Sequence, residues 1–348
     1  MQNKFSAKIA NGFTLAELAI STGLTMMIAL TISTVTSFLM KEVVGESSNI
    51  GIATEAKMAN LRLQRIVSSA GGGLIKPFLS IRVSNNVTGA AMGLPDPQQT
   101  DWIHTLRLQS DVTGTELLQS LSLGSLGYDG ATGEIDIDNF FGCPLLDSYL
   151  GLTSALVYKQ ALRVVVITGF DNATCKLQSV PSIQGALLSN WTAEKFLGGA
   201  LIPVIVSTTF LDPSTHEIKK FEDANNDGVA QPDEIQWIIQ AAYDLQVAMG
   251  YDVKVLDGNI EDTGDQNDEW LYNSPLDAIG VGGLASFKFQ RLRMIEIAVL
   301  IAHKEQMPTG KKPMPIASLD GPPVNVDGLA HSVSIQKLYL RNASLFIR

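Results

Sequence analysis

From Leu18 to Met40 the chain carries no charged residue. A helix of about 20 apolar residues crosses the roughly 30 Å hydrocarbon core of a bilayer, so this stretch is long enough to span one. The residues before it, Met1 to Gly12, contain Lys4 and Lys8 and no acidic side chain. Positive charge ahead of a first span holds that end in the cytoplasm, which places everything beyond Met40 on the far side of the membrane. Glu17 stands at the mouth of the apolar stretch. A lone carboxylate in hydrocarbon costs several kcal/mol, so it is expected to have a functional partner.

The string Gly12-Phe13-Thr14-Leu15-Ala16-Glu17 closely resembles the prepilin motif of the type IV pilin family. An ordinary secretory signal is cut after its apolar stretch, which is then discarded. The resemblance implies a cut before the stretch, between Gly12 and Phe13, so that the helix is retained. It further implies removal of leader 1–12 by a prepilin peptidase, methylation of the Phe13 amine, and use of residues 13–40 as the transmembrane and polymerisation helix. Glu17 would then face a positive N-terminal amine during subunit docking. The helix is rich in hydroxyls at Ser21, Thr22, Thr25, Thr31, Ser33, Thr34, Thr36 and Ser37. Such groups can bond back to helix carbonyls or across to neighbouring helices. No proline interrupts it, whereas many major pilins carry one there, a difference that favours a minor pilin or a pseudopilin.

Beyond Met40 the pattern turns mixed and charged, but Ala56, Ala59, Leu63, Ile66, Val67 and Ala70 keep helical spacing. Residues 41–73 therefore read as an amphipathic continuation of the helix, the alternative being a break near Gly45. The end is expected at Gly71-Gly72-Gly73, with Pro77 discouraging continuation. The remainder, 74–348, alternates β-rich runs with Gly, Asn, Asp and Pro loops. Val164–Thr168, Leu201–Phe210, Ile235–Ala242 and Met294–Ala302 are the clearest strand candidates. The expected class is α+β, a long N-terminal helix packed on an antiparallel sheet in a globular head, with Met307 to Gly328 an excursion from the sheet. Leu292–Leu300, the later Leu338-Tyr339-Leu340-Arg341-Asn342, and Ser69-Ala70-Gly71 are similar to segments of PilW-type minor pilins.

The run Asp223 to Glu234 fits the EF-hand loop at each acidic and glycine position. Asp223, Asn225 and Asp227 would offer side-chain oxygens to Ca2+, Val229 its carbonyl, Gln231 a direct or water-mediated ligand, and Glu234 a bidentate carboxylate. Gly228 permits the sharp turn. Ala230 replaces the larger aliphatic residue that usually pairs two such loops, and Pro232 is a second departure, so a solitary loop is expected. Glu217 to Phe221 is too short and charged for an entering helix, and Ile235 to Ala242 reads as a strand. The expectation is a calcium loop on a β-rich head rather than a helix-loop-helix sensor. The acidic stretch Asp257 to Glu269, which includes Asp265, has no comparable register and reads as a solvated loop.

A net charge of −10 and the absence of any Lys/Arg-rich run argue against a general nucleic-acid surface. The two cysteines, Cys143 and Cys175, both fall on the oxidising side of the inferred topology, where a disulfide between them is expected. The four histidines are scattered without a metal-binding companion. With no nucleophile elbow, phosphate loop or paired catalytic signature, the chain is not expected to be an enzyme.

The expected function is that of a minor type IV pilin. It would be held in the inner membrane with its head in the periplasm, then passed by the assembly platform into an extracellular pilus with other minor and major pilins. The size of the head favours a place at the tip, priming assembly and supporting adhesion or motility. Alternatives are a type II secretion pseudopilin and a membrane-anchored adhesin or binding protein that never polymerises.

Overall fold

The computed structural model describes residues 14–71, 80–88, 99–109, 120–139, 146–158, 161–189, 195–196, 199–252, 259–262, 269–272, 292–306, 319–324, 326 and 329–340. By contacts the chain forms two compact units, Met1–Gly51 and Ile52–Arg348. One helix, α1 (Leu15–Ser69), runs without a break at Gly45. It ends at Ser69, and Gly71 just beyond has a φ of 71°, the left-handed conformation that glycine adopts without a Cβ penalty. Gly72, Gly73 and Pro77 lie outside the described residues.

In the first unit, Leu15–Val44 is long and apolar enough to cross a membrane, and none of it is buried. Six of its hydroxyls bond back to the helix itself. Thr25 Oγ1 donates to Ser21 O (2.7 Å), Thr31 Oγ1 to Met27 O (2.8 Å) and Thr36 Oγ1 to Ile32 O (2.7 Å). Ser21, Thr22 and Thr34 likewise bond to carbonyls one turn back. These six hydroxyl protons are thereby satisfied within the helix, which lowers the cost of placing them in an apolar medium.

In the second unit the helix becomes one wall of a core. Ile52, Ala56, Ala59, Leu63, Val67 and Ala70 recur at three- and four-residue steps and are all buried, with Ile66 packed at their margin. Among the described residues fifteen strands follow. They are β1 (Ile81–Thr88), β2 (Gln99–Leu108), β3 (Leu121–Asp129), β4 (Glu134–Ile137), β5 (Thr153–Tyr158), β6 (Ala161–Asp171), β7 (Lys176–Pro181), β8 (Lys195–Phe196), β9 (Ala200–Asp212), β10 (Glu217–Phe221), β11 (Ile235–Ile239), β12 (Ala242–Tyr251), β13 (Trp270–Leu271), β14 (Leu292–Gln306) and β15 (Leu329–Tyr339).

The antiparallel order β13-β12-β14-β15 makes the sheet under α1. Ile295, Ile297, Val299 and Ile301 of β14 share a core with Leu245, Val247 and Met249 of β12 and the helix stripe. The alternate residues Met294 and Leu300 join separate clusters with Trp270 and Val326. Both faces of β14 are thus covered, which accounts for its nearly continuous apolar sequence. Asn60 adds a polar lock between helix and sheet, its Nδ2 donating to Ser334 O and Ser334 Oγ, each at 2.7 Å.

The head holds more than the single sheet expected. The long strand β9 pairs with β5 on one edge and β3 on the other, so that Ala200 is flanked by Val157 and Ser122. The order β9-β5-β6-β7-β4-β3 therefore returns to β9 and closes a six-stranded antiparallel barrel. Its interior is filled by Tyr128, Ile135, Leu156, Val165, Ile167, Leu177 and Leu201. The far half of β9 leaves the barrel and pairs with β2 and β10, extending to β1 and β11. The expected strand Ile235–Ala242 is split: β11 stops at Ile239, Ala241 takes a φ of 56°, and β12 begins at Ala242. Cys175, buried in the β6–β7 turn, is disulfide-bonded. Cys143, the one other cysteine of the sequence, lies outside the described residues.

Candidate functional site

Glu17 opens α1 as one half of a reciprocal cap. Its N–H donates to Thr14 Oγ1 (3.3 Å), while its Oε2 accepts both the Thr14 N–H (3.0 Å) and the Thr14 hydroxyl (2.9 Å). Thr-x-x-Glu at a helix start satisfies two otherwise orphaned amide donors, and the signal was present in the sequence. The carboxylate therefore has a partner within its own chain. Gly12 and Phe13, the expected processing residues, lie outside the described residues.

The loop from Asp223 to Glu234 joins the paired strands β10 and β11, so its frame is a β-hairpin and not a pair of helices. Carboxylate oxygens of Asp223, Asp227 and Glu234 all lie within 4.8 Å of one another. Two oxygens bound to one Ca2+ at about 2.3–2.6 Å can be at most about 5 Å apart, so this set fits a single hard cation. The loop is already wound around that point. Asp223 Oδ1 and Oδ2 accept the N–H groups of Asp227 (3.1 Å) and Gly228 (3.0 Å). Asn225 Oδ1 accepts the Asp227 N–H at 2.9 Å, and Asp227 Oδ1 accepts the Val229 N–H at 2.7 Å. Glu234 reaches back across the loop, its Oε1 accepting Ala224 N–H (2.9 Å) and Asn225 N–H (3.2 Å). Gln231 Nε2 donates to Asp227 Oδ2 at 2.8 Å, so Gln231 already touches one acidic ligand candidate.

Burial raises the Asp223 carboxyl above its ordinary range, and the charges of Glu234 and Asp227 push the same way against the two N–H bonds. Acidic groups that repel one another in a partly buried turn are the setting in which a bound cation stabilises the fold. Gly228 has φ 75°, and a Cβ there would come within 2.7 Å of Ile183 Cγ2, so glycine is required by both backbone and neighbour. Of the second acidic stretch, Glu261, Asp262 and Glu269 are described and none joins this cluster. Asp262 instead pairs with Lys337 at 3.7 Å. Asp265 lies outside the described residues.

Two residues that the ligand pattern does not single out fasten the loop to the barrel. Asn226, at φ 59°, accepts the Ile183 N–H on Oδ1 (2.9 Å) and donates from Nδ2 to Pro181 O (3.3 Å). Gln184 accepts the Asp223 N–H on Oε1 (3.0 Å) and donates from Nε2 to Phe221 O (2.8 Å) and Thr208 Oγ1 (3.1 Å). Asparagine's tolerance of the left-handed region is a signal the sequence offers, but Gln184 stands far away in the chain and offers none.

The histidines take separate places. His104 is buried between Ser84 Oγ (2.9 Å) and Thr208 Oγ1 (3.0 Å), while His216 stacks on Tyr243 at 3.9 Å. His303 pairs with Glu55 of α1, and His331 Nδ1 lies 3.0 Å from Leu329 O. In comparisons with known proteins, no family model, curated protein or solved structure matches the chain.

Proposed function

We propose that this chain is a minor type IV pilin, stored in the inner membrane through α1 and then carried, head outward, into a pilus. The observation that supports this reading most is the division of labour along one helix. Leu15–Val44 is apolar and wholly exposed, whereas Ile52 to Ala70 supplies a buried stripe to a β-rich head. An exposed apolar helix needs a lipid or protein environment, and a filament core of packed helices provides the second when the first is left. On this reading prepilin peptidase cuts between Gly12 and Phe13 and methylates Phe13. Glu17 exchanges its Thr14 contacts for a neighbouring subunit's amine, and other pilins and the assembly platform are the partners. The head then serves pilus priming, adhesion or motility from a tip position, with the Asp223–Glu234 loop holding Ca2+ as a structural ion. The chain performs no catalysis.

Replacement Gly12→Val tests the processing step. The variant is expected to keep its leader, remain in the inner membrane and be missing from sheared filaments. Recovery of leader-free Gly12→Val protein in filaments would refute the proposal.

A further inference from the structure

The calcium loop does not stand alone on its hairpin. It is pressed against the turn Pro181 to Leu187 that follows barrel strand β7, and that turn is itself fixed rigidly. Ser182 N–H donates to Val164 O of β6 (3.1 Å), and Val164 N–H donates to Ser189 Oγ (3.0 Å). A Cβ at Gly185 would fall 2.4 Å from Val164 Cγ1, so the turn lies as close to β6 as a backbone can. On its other side the hairpin that carries the loop contributes Ile218 and Ile239 to the core beneath α1. The loop thus bridges two bodies of packing, the barrel and the helix-bearing core.

We propose that calcium at this loop works as a clamp, with Gln184 and Asn226 as the positioning residues that transmit occupancy to the barrel; the inference rests on the calcium reading above. Neither residue is an acidic ligand candidate, yet Gln184 holds the backbone of one and Asn226 sits in the chain immediately before another. Gln184 fixes the Asp223 N–H and, through Phe221 O, the strand that delivers it. Asn226 fixes the left-handed turn between Asn225 and Asp227 by bonding Ile183 and Pro181. A cation that draws Asp223, Asp227 and Glu234 inward stiffens the segment between them, and these side-chain bonds pass that order to the 181–187 turn. By reciprocity, a barrel that holds the turn in place preorganises the loop for the ion. Partners one step removed from a metal commonly set its affinity by about 10–100-fold.

The experiment uses the full chain in detergent micelles, titrated with CaCl2 in a calorimeter, and hydrogen exchange of peptides covering 176–189 with calcium or chelator. Variants are Gln184→Ala and Asn226→Gly, the second leaving the core untouched and keeping a residue that accepts φ 59°. Wild type is expected to bind calcium and to slow exchange across 176–189. Both variants are expected to bind about tenfold or more weakly and to lose the calcium-dependent protection of that segment. Absence of calcium heat in the wild type would overturn the calcium reading and the clamp together. Tight binding by wild type and both variants, with 176–189 exchanging alike with and without calcium, would overturn the clamp alone.

Discussion

Acid should unfasten this head through one buried histidine. His104 is 2% exposed, and burial, reinforced by the charge of Arg82, depresses its pKa from 6.5 to about 4. The imidazole is therefore neutral in the fold while the unfolded chain takes up a proton near pH 6.5. Between those limits the unfolded state binds more protons, so stability rises with pH. The contribution is whole above pH 6.5 and is lost as pH falls toward 4. At about 1.4 kcal/mol per pH unit, the gap from 6.5 to about 4 gives a loss of about 3 kcal/mol. His104→Gln keeps a donor and an acceptor between Ser84 and Thr208 but does not titrate. Urea unfolding of wild type and variant, followed by tryptophan fluorescence from pH 7 to pH 4, isolates the histidine's contribution because carboxylate titration is shared by both chains. The variant is expected to be less stable at pH 7 and to close the gap by about 3 kcal/mol at pH 4. Parallel pH profiles, or a measured His104 pKa near 6.5 in the folded protein, would refute the reasoning.

Two further outcomes are expected. Glu17→Val should still insert, because the apolar stretch is lengthened, but should lower filament number and co-purification with other pilins; wild-type filament counts would remove the docking role. Asp223→Ala or Glu234→Ala should abolish the rise in melting temperature that calcium gives the wild-type chain, whereas Asp262→Ala, at a residue that pairs with Lys337 and lies outside the acidic cluster, should leave it.

Local periodicity made parts of this fold legible. The stripe Ala56, Ala59, Leu63 and Val67 reads as a helix face because residues three and four apart share a side, and that face is the one buried against β12 and β14. Strands β6, β9 and β14 were marked by β-branched runs, and the acidic cluster of the 223–234 loop by a twelve-residue register. Closure of the barrel was not legible. It depends on Leu121 meeting Leu201, a pairing set by strand twist and tilt, and alternation along either strand is the same in an open sheet. Nor does anything near Ala241 announce the left-handed residue that separates β11 from β12, since alanine is a poor marker for that conformation. Gln184 was hidden for a related reason: its role comes from a contact made across the fold. Glu17 shows the opposite case. Its cap with Thr14 follows from the local Thr-x-x-Glu spacing alone.

The most direct test of the proposed pilin function is the N-terminal mass of the chain purified from cells with and without prepilin peptidase. A mature protein beginning at N-methylated Phe13 in the first, and an intact Met1 leader in the second, is the predicted result. A chain that begins at Met1 in both, or one cut beyond Met40 so that the apolar helix is lost, would contradict it.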